Sequence, residues 1–386
     1  VELSGDQQKA LSDLLAWYKD PAKGAFVTLG GYAGTGKTTL IAVFKNELLK
    51  LDKNIRIAFC SYTGKAAQNL KNKLKEAGAL SVKDSVSTIH GLIYNPREDG
   101  DGRISGWDRK DELERSLIIV DEASMVDGAI WADLLSYNIR IVAVGDHGQL
   151  PPISGKFNLM QAPQLMLTQI HRQARGNPII TVSEHARATG LVPPMKYGPG
   201  VVKYLKDDCD AQERSGELLE CYSPETLILC GYNTTRNRLN QFIRASRGFE
   251  TPAPSSGDRV ICLRNNHKKA IYNGMLGTLI SLTPAQKDWY QAEIQLDDRE
   301  RPYDGLIYAP QFGAKTGVNF TADRKLAMIG DLFDFGYALT VHKAQGSQAR
   351  RVVMFEERFP KMDDEMWRRW LYTGVTRAEE ELYLFG

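Results

Sequence analysis

Cysteine is scarce in this chain: five in 386 residues, none in a C-x-x-C pair. Six histidines show no metal-ligand spacing. Together these shortages exclude a disulfide scaffold and argue against a zinc site. They fit a reducing compartment. Net charge is only +2, so a uniformly basic body is absent and any nucleic-acid surface must be a local groove. No apolar run approaches membrane-spanning length, and no signal-peptide pattern opens the chain. The expectation is a cytoplasmic protein with no membrane partner. There is no internal repeat and no long low-complexity tract. What remains is ordinary globular composition, 42% apolar and 25% charged, in a length that allows two or three domains.

The most informative stretch is residues 26–40. A short apolar run from Phe26 ends in a glycine-rich turn, and a helix-forming segment follows. Gly31, Gly36, Lys37 and Thr38 satisfy G-x-x-x-x-G-K-[ST], with Gly34, Thr35 and Thr39 completing the loop. Glycines let the backbone wrap a polyphosphate so that several N–H groups face it. The helix N-terminus adds positive potential. Lys37 can reach the β- and γ-phosphates, and the Thr38 hydroxyl can hold Mg²⁺. Upstream, Ser4 is an N-cap for an amphipathic helix carrying Leu11, Leu14, Leu15 and Tyr18 on one face. Gln7 in that helix reads as a solvated residue if taken alone. Next to a phosphate loop, its amide, a donor and an acceptor, is a candidate for the adenine edge.

Further along, Ile55–Cys60 is a strand, and Thr63, Gly64 and Lys65 stand at its C-terminal end, where open α/β sheets bind ligands. They could grip phosphates of a strand or simply begin a helix with an exposed lysine. Ser87–His90 clusters two hydroxyls and an imidazole. Residues 91–110 read as a β-hairpin, with Tyr94 and Pro96 on one arm, an Asp/Gly-rich tip and Trp107 on the other. Trp107 either meets a partner or packs the hairpin onto its host. Leu117–Val120 is a buried strand ending in Asp121, suited to Mg²⁺, and Glu122, suited to orienting or deprotonating water. Gln149 follows another such strand, placed to sense the γ-phosphate. Leu165–Arg172 reads as a bridge to a second domain, with Arg172 and Arg377 as candidate cations for the γ-phosphate. Residues 188–216 read as loop. From about 255 to 325, short β runs broken by Gly, Pro and Asp suggest a small barrel-like insertion.

These segments resemble superfamily 1B DNA helicases of the RecD and phage Dda type. The resemblance covers nearly the whole chain and rests on Gly31–Thr38, Ser61–Ala67, Ser87–His90, Asp121–Glu122, Gly145–Pro152, Arg172, Thr340–Ser347 and Tyr372–Ala378, all in family order. It implies an α/β fold of two RecA-like parallel-sheet domains: domain 1A over 1–86 and 111–165, and domain 2A over 166–254 and 326–386. A pin hairpin (1B, 87–110) and an SH3-like barrel (2B, 255–325) are inserted. It implies ATP and Mg²⁺ as cofactors, with Gln7, Lys37, Thr38, Asp121, Glu122, Gln149 and Gly346 around them and Arg172 and Arg377 as arginine fingers. It places Thr63, Gly64, Lys65, Thr88, His90, Asn233, Thr340, His342 and Lys343 on single-stranded DNA, and Tyr94, Pro96 and Trp107 toward the fork. The implied activity is a DNA-stimulated ATPase that acts as a monomeric 5′→3′ helicase on single strands and single/double-strand junctions, alongside replication, recombination or repair proteins. A protein-displacing translocase with weak unwinding is the alternative, favoured by a tip without aromatics. Two further rivals are RNA as the main substrate and a DNA-binding module with a dead ATPase. Tyr62 departs from the family, standing where a proline is usual.

Overall fold

Buried apolar runs with a helix between each pair dictate parallel pairing, because parallel strands need a crossover connection. The computed structural model describes residues 2–98, 104–152, 157–170, 176–266, 269, 271–297, 299–314 and 329–386. The chain divides into two compact units, Val1–Ile180 and Thr181–Gly386.

The first unit runs α1 (Gly5–Lys19), β1 (Phe26–Gly31), α2 (Lys37–Leu51), β2 (Ile57–Ser61), α3 (Gly64–Glu76), β3 (Ser85–Thr88) and α4 (Ile89–Ile93). It continues through β4 (Tyr94–Glu98), β5 (Ile104–Arg109), β6 (Leu117–Asp121), α5 (Gly128–Leu135), β7 (Arg140–Gly145) and β8 (Leu165–Leu167). Among the described residues, six strands pair in the order β3-β2-β6-β7-β1-β8, all parallel. Successive residues point to opposite faces. Phe59, Ile119 and Val142 therefore join Leu14 and Phe44 in one core, while Cys60, Ile118 and Ala143 join Ile93 and Trp131 in the other. Arg140 ties the end of α1 to this sheet. Its guanidinium donates to the carbonyls of Trp17 (2.5 Å) and Tyr18 (3.0 Å) and lies 4.1 Å over the Trp17 ring.

Leu165–Leu167, expected to bridge to the second domain, is instead the edge strand of this first sheet, paired with Leu29–Gly31. Its link to α1 explains the difference: the Asp6 carboxylate accepts from the backbone N–H groups of Thr168 and Gln169, at 2.9 and 2.8 Å. The two compact units divide after Ile180.

The hairpin is an antiparallel two-stranded ribbon, β4 against β5, with Tyr94 opposite Arg109 and Pro96 opposite Trp107. Its expected tip at 99–103 lies outside the described residues.

From Thr181 the second unit contains the rest of α6 (Pro178–Thr189), β9 (Lys196–Gly198), β10 (Val201–Tyr204), α7 (Cys209–Glu220), β11 (Thr226–Cys230) and α8 (Asn233–Ser246). Then come β12 (Arg259–Cys262), β13 (Leu276–Gln286), β14 (Trp289–Leu296), β15 (Tyr303–Tyr308) and β16 (Phe333–Phe335). The unit closes with β17 (Ala338–Thr340), β18 (Ala349–Phe355), α9 (Asp364–Val375) and β19 (Ala378–Phe385). Residues 188–216, expected as loop, carry two strands and most of a helix. The Pro193-Pro194 and Gly198-Pro199-Gly200 breakers hid them, and β10 forms because Val201–Tyr204 finds the final strand, Leu382–Phe385, as a parallel partner. The unit's main sheet runs β17-β11-β18-β19-β10-β9, parallel except at the β9 edge.

The β-rich insertion is a five-stranded antiparallel sheet ordered β15-β14-β13-β12-β16. It extends to Phe335, beyond the expected limit at 325, because Phe333–Phe335 pairs with β12. Arg244 of α8 fastens this insertion: it donates to Asp258 through Nε (2.8 Å) and Nη2 (3.0 Å), and Tyr337 donates to the same carboxylate at 2.8 Å.

Candidate nucleotide and nucleic-acid site

Parallel pairing brings the C-terminal ends of β1, β2, β3, β6 and β7 to one edge of the first sheet. Five of the predicted segments follow those ends directly: Gly31–Thr39, Thr63–Lys65, Thr88–His90, Asp121–Glu122 and the loop to Gln149.

At the phosphate loop, Gly34 and Gly36 adopt left-handed backbone, with φ of 80° and 74°. Gly31 must stay bare, since an added Cβ would lie 2.5 Å from Thr35 Oγ1 and 3.1 Å from Leu167 Cβ. Thr35 is buried, its hydroxyl donating to the Tyr32 carbonyl at 2.8 Å. Lys37 and Thr38 open α2, while Gly34 and Thr39 are exposed. The Lys37 ammonium folds back to donate to the carbonyls of Gly31 (2.7 Å) and Tyr32 (3.1 Å). Gln7 is buried. Its Oε1 accepts from Ser4 N at 3.0 Å, and its Nε2 donates to the Thr35 carbonyl at 3.0 Å. Gln7 therefore ties the start of α1 to the loop, a contact that sequence reasoning did not anticipate.

Asp121 ends β6, and Glu122 beside it holds left-handed backbone, φ 52° and ψ 41°. Such a conformation in a residue other than glycine is strained and concentrates at functional sites. Burial, then the neighbouring Glu122 charge, pushes Asp121 up to about 6, against the pull of Lys37. Gln149 is buried at the end of a turn in which Asp146 accepts from Gly148 N at 3.0 Å. A further contact joins the two loops: the Tyr32 and His147 rings lie 4.2 Å apart. The signal for it was available, since β1 and β7 are neighbours and each ends just before one of these rings.

Among the strand-contact candidates, Thr63 caps α3, accepting from Ala66 N at 3.2 Å, and Thr88 caps α4, accepting from Gly91 N at 3.0 Å. Gly64 is buried and Lys65 half-buried. Burial holds His90 below the ordinary imidazole range, against the pull of Asp127, so its ring is neutral at neutral pH. Tyr94 donates its hydroxyl to Asp133 of α5 and packs against the core, which makes it an anchor of the hairpin. Trp107 is 38% exposed. Of Pro96 the backbone pairing alone is described.

In the second unit, Asn233 opens α8 and is exposed. The Glu357 carboxylate, absent from the sequence expectations, fixes that turn by accepting from Gly231 N (2.8 Å), Tyr232 N (2.9 Å) and Thr235 Oγ1 (2.5 Å). Thr340 ends β17 and accepts from Lys343 N at 3.4 Å. Burial lowers His342, and burial with the nearby Arg236 charge lowers Lys343, Asp334 opposing. Arg377 sits at the opposite edge of this sheet, just before β19 begins, and Gly346 lies in the turn between β17 and β18. Arg377 is buried, donating from Nε to Thr373 O (2.9 Å) and from Nη1 to Ser347 O (3.2 Å). Arg172 lies outside the described residues.

The family model described as an AAA domain matches residues 18–155, and one described as a UvrD-like helicase C-terminal domain matches residues 335–385. The chain is 32% identical over 435 residues to the RecBCD enzyme subunit RecD of Buchnera aphidicola, covering 94% of this chain and 70% of that subunit. The chain belongs to the RecD-type superfamily 1B helicase family. It is also 28% identical over 409 residues to an ATP-dependent RecD2 DNA helicase of Deinococcus radiodurans, covering 99% of this chain. It spans about half the length of that relative, 49%. A Pif1 helicase structure concerned with unwinding at forked duplex DNA superposes with a TM-score of 0.57 at 20% identity, covering 100% of this chain and 92% of that one. Pif1 helicase from Bacteroides in complex with ADP-AlF3 and ssDNA gives 0.55 at 17%, with the same coverage. These likenesses show the fold of the family, two RecA-like domains. No described helix is long and apolar enough to cross a membrane.

Proposed function

We propose that this chain is the motor of an ATP-dependent DNA helicase, which moves 5′→3′ on single-stranded DNA and separates duplex at the β4–β5 hairpin. The observation that carries the reading is the common sheet edge. The phosphate loop, the carboxylate pair, Gln149 and the Thr63 and Thr88 turns all follow C-terminal ends of parallel strands in one sheet. A change at the nucleotide is therefore a short mechanical path from the turns assigned to the strand.

The residues fit a nucleotide and its cation. Lys37 holds its ammonium on loop carbonyls, and those bonds can be exchanged for phosphate oxygens. Asp121 and Glu122 crowd negative charge at one strand end, which a divalent ion relieves. Mg²⁺, when bound, neutralises charge on the β- and γ-phosphates. Thr38 and Asp121 are the residues proposed to hold it, Glu122 orients or deprotonates water, and Gln149 senses the γ-phosphate. Arg377 and Arg172 are the proposed cations for the departing phosphate, a role typically worth about 10³–10⁵ in rate. Gln7 is the proposed reader of the adenine edge. Single strands and junctions are the proposed partners, with the chain acting as a monomer alongside replication or recombination proteins. The Asp/Gly-rich tip sequence keeps the weakly unwinding translocase as a second reading.

Lys37→Ala tests the centre of this scheme. ATP turnover falls to background while affinity for a single-stranded oligonucleotide stays within about twofold, measured by phosphate release and fluorescence anisotropy. Turnover retained in the variant would remove the phosphate loop from its central role.

A further inference from the structure

Tyr62 occupies one position between the end of β2 and the cap of α3, where the family usually carries proline. Its ring is half-buried. It lies 6.3 Å from the His90 ring, edge to face at 77°. His90 in turn lies 5.5 Å from the Tyr94 ring at 42°, and Tyr94 is fixed from behind by Asp133. The three rings form a row from the hairpin root to the sheet edge. Its inner end is bonded and its outer member has no hydrogen-bonding partner for its hydroxyl among the described residues. The middle member is also incomplete: His90 Nδ1 is buried without a hydrogen-bond partner among the described residues. Native folds leave few such atoms unpaired.

The charges around the row favour a base over a phosphate. Asp127, which caps α5 by accepting from Ala129 N and Ile130 N, is the acidic group nearest in effect to both Tyr62 and His90. A phosphate beside it is repelled. An uncharged base is not, and Lys65 with the N-terminus of α3 lies on the same turn for the backbone.

We infer that Tyr62 is a stacking platform for one base of a bound single strand, the outer face of an aromatic row that His90 backs and Tyr94 anchors. The inference rests on the reading above that this chain binds single-stranded DNA, and it adds a binding residue to it. An aromatic face is a sequence-tolerant partner, because every base presents a π-face. The platform therefore grips the strand at one fixed position without choosing a base.

The test is a scan of a single-stranded oligonucleotide carrying 2-aminopurine at one position at a time, with the full chain. The expected result is strong quenching at one position, retained in Tyr62→Phe and lost in Tyr62→Leu, which keeps apolar bulk against the core but has no ring face. Affinity falls about 5- to 150-fold in Tyr62→Leu, the range for loss of one aromatic–base stack. An abasic nucleotide at the quenched position weakens wild type by a similar factor and Tyr62→Leu hardly further, the non-additivity expected of partners in contact. Quenching and affinity unchanged in Tyr62→Leu, or additive losses with the abasic strand, overturn the platform and leave Tyr62 as core padding. Failure of the wild-type chain to bind any single strand would instead overturn the DNA reading itself.

Discussion

Lys45 and Asp84 are both buried and meet at 2.5 Å, a costly arrangement unless every oxygen is used. Here it is. Asp84 also accepts from Ile57 N, Ser81 N and Ser81 Oγ, so one carboxylate joins α2, which follows the phosphate loop, to the approach of β3, which leads to Thr88. Burial pulls the Asp84 carboxyl up, but Lys45, Ser81 and the backbone donors outweigh it and hold it below its ordinary 3.8. A depressed folded value means stability that is present in full above the ordinary aspartate range. It is lost as pH falls through the lower folded value, because protonation then favours the unfolded chain. Asp84→Asn leaves the buried ammonium without its counter-charge and should cost about 3–5 kcal/mol at neutral pH. The deficit relative to wild type should shrink as acid protonates Asp84, checked by urea unfolding from pH 7 down to pH 3. A constant deficit would assign the loss to packing. At this scale the sequence was partly legible. Lys37 and Thr38 announce themselves through a motif, but the left-handed Glu122 and the Glu357 cap do not, because each depends on a backbone position set by distant strands.

At the scale of elements, the hairpin is fastened at its root. Tyr137 bonds the carbonyls of Ile93 and Lys110, both at 2.8 Å, and Lys110 Nζ donates to the carbonyls of Gly91 and Leu92, both at 2.9 Å. Melting one base-pair step costs about 1.4 kcal/mol, and one aromatic–base stack is worth about 1–3 kcal/mol, so an exposed indole at the fork can offset much of a melted pair. Trp107→Ala should lower unwinding several-fold more than DNA-stimulated ATP turnover, measured on a forked duplex. A parallel fall in both would make the tryptophan a packing residue. The hairpin was legible because its turn composition is local. The strand β10 was not, because its partner β19 lies at the far end of the chain and β9 in turn pairs with β10, and the edge strand β8 was not for the same reason: its partner β1 lies at the start of the chain.

At the scale of the whole molecule, the near-neutral charge balance of +2 leaves binding to placed residues, and the two parallel sheets provide the placement. In the second unit the candidates for the strand, Asn233 and Thr340–Lys343, follow strand ends. Arg377 lies at the edge where strands begin. Arg377 and the strand candidates there are separated by about the length of a β-strand. Sequence order could not reveal that separation; it needs the pairing of β18 with β11 and β19.

The most direct test of the central claim uses duplexes carrying only a 5′ or only a 3′ single-stranded tail, with ATP and Mg²⁺ and Lys37→Ala as control. The account predicts strand separation on the 5′-tailed duplex alone and none with the variant. Separation on the 3′ tail would contradict it, and failure on both tails with DNA-stimulated ATP turnover intact would replace the helicase with a translocase.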